Sequence, residues 1–114
     1  EASSHINFKQ TVIQTKEGDT QLALKKLTPV RLIKNKFFEQ VNAAEEKGAS
    51  PEALQQLLGR GRAKKGMFEG ELTEGELEIG QVSALLDTIL PAGKIVEQVW
   101  QEFINGLNNP LKMP

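Results

Sequence analysis

The chain has no cysteine, no tyrosine and a single histidine, His5, among its 114 residues. Without thiols there is no disulfide staple, thiol nucleophile or thiolate metal site, and the composition fits a reducing cytoplasm. One histidine with no second His, Cys or Asp at ligand spacing makes no metal centre, so a structural role is expected for His5. No Ser-His-Asp or Cys-His set offers a nucleophile, and we assign neither catalytic residue nor metal ligand to this chain. Charge of one sign is not in excess, 14 basic residues standing against 15 acidic ones. No global field therefore draws the protein to nucleic acid or to an anionic membrane. No apolar run approaches the roughly 20 residues of a membrane span, and no signal-peptide pattern is seen at the start. Apolar residues make up 39% of the chain, below the usual globular share, as expected of a unit that leans on something else. The first residue is Glu1 rather than methionine, which suggests a processed chain or a piece of a longer one.

What is present is helix punctuation. Ser3 and Ser4 are placed to cap a helix over about His5 to Thr15, with Ile6, Phe8, Val12 and Ile13 as a rough apolar face. Thr20 to Lys25 alternates as a short strand would, but no partner strand is evident. Thr28-Pro29 predicts the start of a helix from Val30 to Lys47, with Val30, Ile33, Phe37, Val41 and Ala44 on one face. Ser50-Pro51 repeats the signal for a shorter helix ended by Gly59. A further stripe, Val82, Leu85, Leu86 and Ile89, predicts a helix cut at Pro91. The last helix, about Ala92 to Leu107, has the widest apolar face: Ile95, Val96, Val99, Trp100, Phe103, Ile104 and Leu107 must be covered by something. Asn108-Asn109-Pro110 ends it, and the remaining residues read as a tail.

Three features carry chemistry. The run Arg60-Gly61-Arg62-Ala63-Lys64-Lys65 lacks the spacing of a phosphate loop and reads as solvated charge, paired with the glutamates between 69 and 78. Those glutamates read as solvated rather than as acid–base carboxylates. The predicted helix start near Thr28 carries Lys25, Lys26, Arg31 and Lys34 where the helix dipole favours acidic residues, a cost that a bound anion would offset. From Gly66 to Leu86 the glycines at 66, 70, 75 and 80 permit positive φ or close approach, and an irregular stretch of that length is functional or disordered.

Thr28-Pro-Val-Arg-Leu-Ile-Lys-Asn35, Gly59-Arg-Gly-Arg-Ala-Lys-Lys-Gly-Met-Phe-Glu-Gly70 and Gly75-Glu-Leu-Glu-Ile-Gly-Gln-Val-Ser-Ala84 resemble the C-terminal third of the FMN-dependent TIM-barrel oxidoreductases, the family of nitronate monooxygenases and FMN-dependent enoyl-acyl-carrier-protein reductases. The resemblance implies a mostly α chain: a helical lid domain over residues 1–70, then a return segment and closing helices over 71–114, packing on a (β/α)8 flavin barrel whose strands are not in this chain. It implies a part of a cytoplasmic NAD(P)H oxidoreductase, most simply the enoyl-acyl-carrier-protein reductase of bacterial fatty-acid synthesis, acting on a small-molecule or carrier-protein thioester. Ile79, Gly80 and Gln81 would approach FMN, and Arg31 and Lys34 the nicotinamide nucleotide. The 114 residues alone are then expected to be inactive, without bound flavin, and to form a homo-oligomer. A nitronate monooxygenase has the same architecture. A reading of a different class is a non-enzymatic helical module that self-associates through its exposed stripes.

Overall fold

The computed structural model describes residues 1–109. Helix α1 (Ile6–Gln14) starts one residue later than predicted, capped not by serine but by His5, whose Nδ1 accepts the Asn7 N–H at 3.1 Å. The predicted strand exists as β1 (Thr20–Ala23). Its partner is β2 (Val30–Ile33), antiparallel, with Thr20 opposite Ile33 and Ala23 opposite Val30. The helix predicted from Val30 is therefore wrong over its first turn. Proline biases the residue before it toward extended backbone, and Val30 and Ile33 are β-branched. The backbone groups of β1 also need a ladder. The helix begins instead at Asn35, as α2 (Lys36–Glu46), where the Asn35 Oδ1 accepts the Phe38 N–H at 2.9 Å. α3 (Pro51–Leu58) is as the sequence predicts, with Ser50 Oγ capping Ala53 N–H and Gly59 closing it at φ 65°.

Two apolar clusters hold these elements together. In the first, Ala23, Leu24 and Leu32 of the hairpin meet Phe37, Phe38 and Val41 of α2 and Leu54 of α3. Leu24 sits at φ 55°, a conformation that costs a non-glycine residue roughly 1–2 kcal/mol. Full burial of its side chain offsets that cost. In the second, Phe8 of α1, Ile33 of β2 and Leu77 come together. Ile33 N–H donates to Leu77 O at 3.0 Å and Ile79 N–H to Arg31 O at 3.1 Å, so residues 77–79 lie along β2 as a rudimentary third strand.

The glycine-rich stretch is ordered by contact rather than left wet. Residues Lys64–Phe68 form a π-helix, a widened turn uncommon outside functional or strained sites. The widening brings Gly66 against Gly75: a Cβ on Gly75 would overlap Gly66 Cα and Glu71 O, so the backbones pass with no room for a side chain. The acidic residues do pair with the basic run, through Arg62–Glu74 and Lys64–Glu69 at 3.8 Å each, and Glu74 also meets Lys36 at 2.6 Å.

Beyond residue 79 the chain changes character. The helix predicted over 81–89 is only a 3-10 turn, Gln81–Leu85. Short helices need tertiary packing, and Val82, Leu85, Leu86 and Ile89 all remain exposed. α4 (Ala92–Asn108) follows and has no buried residue along its length. The radius of gyration is 17.7 Å, against about 13 Å for a compact chain of this size. A packed body over residues 5–79 is joined by the 3-10 turn, which lies against α1 and buries Ser83, to an extended arm from 86 to 109. Among the described residues no helix is long and apolar enough to cross a membrane. The predicted stop at Pro110 and the tail lie outside the described residues.

Candidate functional site

The return of the chain along β2 decides where the candidate residues lie. Because Ile79 N–H bonds to Arg31 O, Ile79 and Arg31 are neighbours across the sheet edge. Ile79 packs against the second cluster, while Gly80 and Gln81 are exposed at the junction of body and arm. A Cβ on Gly80 would touch only the Val82 side chain, at 3.8 Å, and its φ of −78° suits any residue. The packing of this chain does not require glycine there, and the space beside its backbone is open. Neither Gly80 nor Gln81 donates a backbone hydrogen bond among the described residues. Three residues on, Ser83 is buried and its hydroxyl has no partner among the described residues.

The cationic pair is placed differently from the sequence expectation. Arg31 is in mid-strand, not in the first turn of a helix, so the dipole argument for an anion at Thr28 fails with the helix start on which it rested. Its guanidinium turns back on the hairpin, where Nη1 donates to Thr20 O and Oγ1 at 3.1 Å each. Lys34 follows the strand, its backbone N–H bonded to Asp19 O, and its side chain lines a cleft of about 170 Å³ with Thr11, Gln14, Thr15, Asp19 and Ile33. None of the other four candidates lines that cleft. The structure therefore joins Arg31 to Ile79, Gly80 and Gln81 and sets Lys34 apart, beside the end of α1.

Three residues that fix the site's frame were not singled out in the sequence. Asn35 caps α2 and also donates through Nδ2 to Leu72 O and Gly75 O, at 2.8 Å each, latching the glycine-rich stretch to the start of the helix. Arg62, read only as part of a charge run, caps the end of α3 through Leu57 O and Leu58 O, donates to Glu74 O at 2.8 Å and lies 4.4 Å from the Phe37 ring centroid. Glu76, expected to be solvated, is buried. Burial pushes its carboxyl above the usual range, the nearby Glu78 carboxylate adds to the shift, and Arg62 opposes it. An Asn at the mouth of an apolar helical run is a cap signal; its second function and the burial of Glu76 depend on a return path that local pattern does not contain.

His5 is structural, as expected. It caps α1, its N–H donates to Met67 O at 2.8 Å, and its ring covers Gly70. Glu71 binds the N–H groups of Thr73 and Glu74 at 3.1 and 2.7 Å; desolvation raises its pKa, but these bonds and nearby Lys65 more than offset that and hold it below the usual range. Among the described residues no three His, Cys, Asp or Glu side chains gather closely enough to hold a metal ion.

No family sequence model and no curated protein sequence matches the chain. Solved structures do. FabK from Thermotoga maritima superposes with a TM-score of 0.81 at 25% identity, over 92% of this chain and 33% of its own. Its M276A mutant superposes with a TM-score of 0.75 at 22% identity, over 92% of this chain and 30% of its own. The chain thus spans about a third of the length of these proteins. Mostly helical, with one two-stranded sheet, it is similar in fold to a part of an FMN-dependent TIM-barrel oxidoreductase, the family whose motifs its sequence resembles.

Proposed function

We propose that this chain is part of an FMN-dependent NAD(P)H oxidoreductase, an enoyl-acyl-carrier-protein reductase of bacterial fatty-acid synthesis working in the cytoplasm. The observation that carries the reading is the superposition of 92% of the chain on FabK. Residues 1–70 act as the covering domain, and residues from 71 onward return toward the flavin and close the fold. The open backbone at Gly80 and Gln81, with unengaged N–H groups beside the orphan Ser83 hydroxyl, fits a flat polar ring laid against it. Ile79 supplies apolar wall and holds the turn in place through Arg31 O. When bound, FMN carries two electrons between NAD(P)H and the β-carbon of the enoyl thioester. Lys34, whose ammonium has no acidic partner among the described residues, supports a contact with an anionic group of the nucleotide. Arg31 is engaged with Thr20 and contributes mainly by ordering the hairpin.

The test is a FabK chain carrying this sequence in place of its corresponding third, assayed with crotonyl thioester and with a nitronate. NAD(P)H-dependent reduction of the thioester is expected. Nitronate turnover without it would make the protein a nitronate monooxygenase instead, and no turnover of either in a folded, flavin-loaded chimera would leave a non-enzymatic module.

A further inference from the structure

Among the described residues one carboxyl side chain is buried, that of Glu76, 7% exposed. It lies between two fixed points on the return path. Before it, Gly75 O accepts the Asn35 Nδ2 latch at 2.8 Å, and after it Leu77 O accepts the Ile33 N–H at 3.0 Å. Its own N–H donates to Arg62 O at 3.1 Å. Along an extended segment successive side chains alternate in direction. Leu77 and Ile79 take the side of the second apolar cluster, which leaves Glu76 and Glu78 together on the other.

The charges around this carboxyl leave it unpaired. No ion pair reaches it among the described residues. Arg62 attracts it, but that guanidinium is committed elsewhere: Nε donates to Leu58 O, Nη2 to Leu57 O and Nη1 to Glu74 O. Lys36 is taken by the Glu74 carboxylate at 2.6 Å, and Arg31 turns to Thr20. The other charged neighbour is Glu78, of like sign. Burial and Glu78 both favour the protonated acid, which donates a hydrogen bond to the Glu78 carboxylate. An ionised Glu76 has neither that bond nor a counter-ion, and a buried unpaired charge is strongly disfavoured. It has to reach water, and the short segment that bears it has to move with it.

We propose that Glu76 is a positioning residue for the turn at residues 79–81: as the neutral acid bound to Glu78 it seats residues 77–79 on β2, and its ionisation lifts that segment and shifts the turn. The Ile79 N–H on Arg31 O is the last rung before Gly80, so a displaced segment carries Gly80 and Gln81 with it. The first apolar cluster, built on the hairpin, α2 and α3, takes no part in the movement. The consequence for a flavin at the turn rests on the proposed function; the coupling from residue 76 to residues 79–81 is read without flavin.

The experiment follows the full chain, with isotope-labelled glutamate side chains and backbone, by NMR from about pH 4 to about pH 9, the span within which buried glutamates titrate. The Glu76 carboxyl should titrate above the exposed glutamates. The amide signals of Ile79, Gly80 and Gln81 should shift with the same midpoint, while that of Val41 in the first cluster stays still. Glu76→Gln should remove the step at all three amides. Glu78→Gln removes the repulsion and the charged acceptor, and should lower the Glu76 midpoint. In the FabK chimera, an FMN preference of about tenfold for the neutral acid should raise that midpoint by about one pH unit. The coupled shifts in the full chain, together with a chimera that loads no flavin, would uphold the coupling and remove the proposed function. Amides at 79–81 that do not move with Glu76, a step that survives Glu76→Gln, a midpoint unchanged by Glu78→Gln, or an unshifted midpoint in a flavin-loaded chimera would overturn the proposal.

Discussion

Asn35 is where three separate requirements meet, and substituting it tests whether the glycine-rich stretch is latched as described. Its Oδ1 caps α2, worth about 1 kcal/mol. Its Nδ2 makes two bonds to Leu72 O and Gly75 O, each worth about 1 kcal/mol net. Asn35→Ala should thus cost about 3 kcal/mol, a large share of the 5–15 kcal/mol typical of a small domain. Asn35→Ser keeps a capping oxygen and loses the latch, which isolates about 2 kcal/mol. Asn35→Asp caps as well as asparagine or better, but points a carboxylate at two carbonyl oxygens, so its loss at neutral pH should at least equal that of the serine variant. Urea unfolding followed by far-UV circular dichroism is the appropriate assay, because Trp100 lies in the exposed arm and does not report on the body. Serine and aspartate variants within about 0.5 kcal/mol of the parent, well below a single hydrogen bond, would show that the two carbonyl bonds contribute nothing and that the stretch is held by its apolar contacts alone.

Further expectations follow from the same packing. Gly75→Ala places a methyl against Gly66 Cα and Glu71 O and should cost about 3 kcal/mol, at the upper end of overpacking losses; an unchanged urea midpoint would contradict the close passage. Leu77→Ala empties the second cluster and should cost about 2–5 kcal/mol, with faster amide exchange at Ile33 as the local signature. Arg62→Lys keeps the charge but loses the fork to the α3 carbonyls and the stacking on Phe37, so a thermal shift of several degrees downward is expected. For Glu76 the sign runs through burial. Its folded pKa is raised, so the folded state holds the proton more tightly, a contribution present below the ordinary value of 4.5 and lost as pH rises through the folded value. Glu76→Gln should accordingly stabilise the protein at pH 7 and confer no gain near pH 4, and a gain independent of pH would refute the account.

Local pattern was legible wherever one element decided its own structure. Ser50-Pro51 and Gly59 bracket α3 as read, and the apolar period of α4 gives its span to within a residue. It failed where two segments decide jointly. Val30–Ile33 offers both a helical face and a strand, and the choice falls to β1, which has no other ladder partner among the described strands. That one misreading carried the anion site with it. Gln81 to Ile89 has a helical period, but only Ser83 of the turn is buried and the apolar stripe Val82, Leu85, Leu86 and Ile89 finds no cover, so only one tight turn forms. The burial of Glu76 needed the path of residues 77–79 along β2, which lies more than forty residues away in sequence. Ile79, Gly80 and Gln81 were reached from the family motif, and the structure adds the open side of Gly80 and the orphan hydroxyl of Ser83 beside them.

The carboxylate of Glu1 accepts the N–H of Ala92 at the start of α4, joining points 91 positions apart. The chain between them leaves one spot and comes back to it. The helical body is thus a closed excursion between two neighbouring points. The same geometry lets it be cut out and bridged by a short linker. Excision by this route would remove the whole helical body at once, and would separate what that body contributes from what α4 contributes.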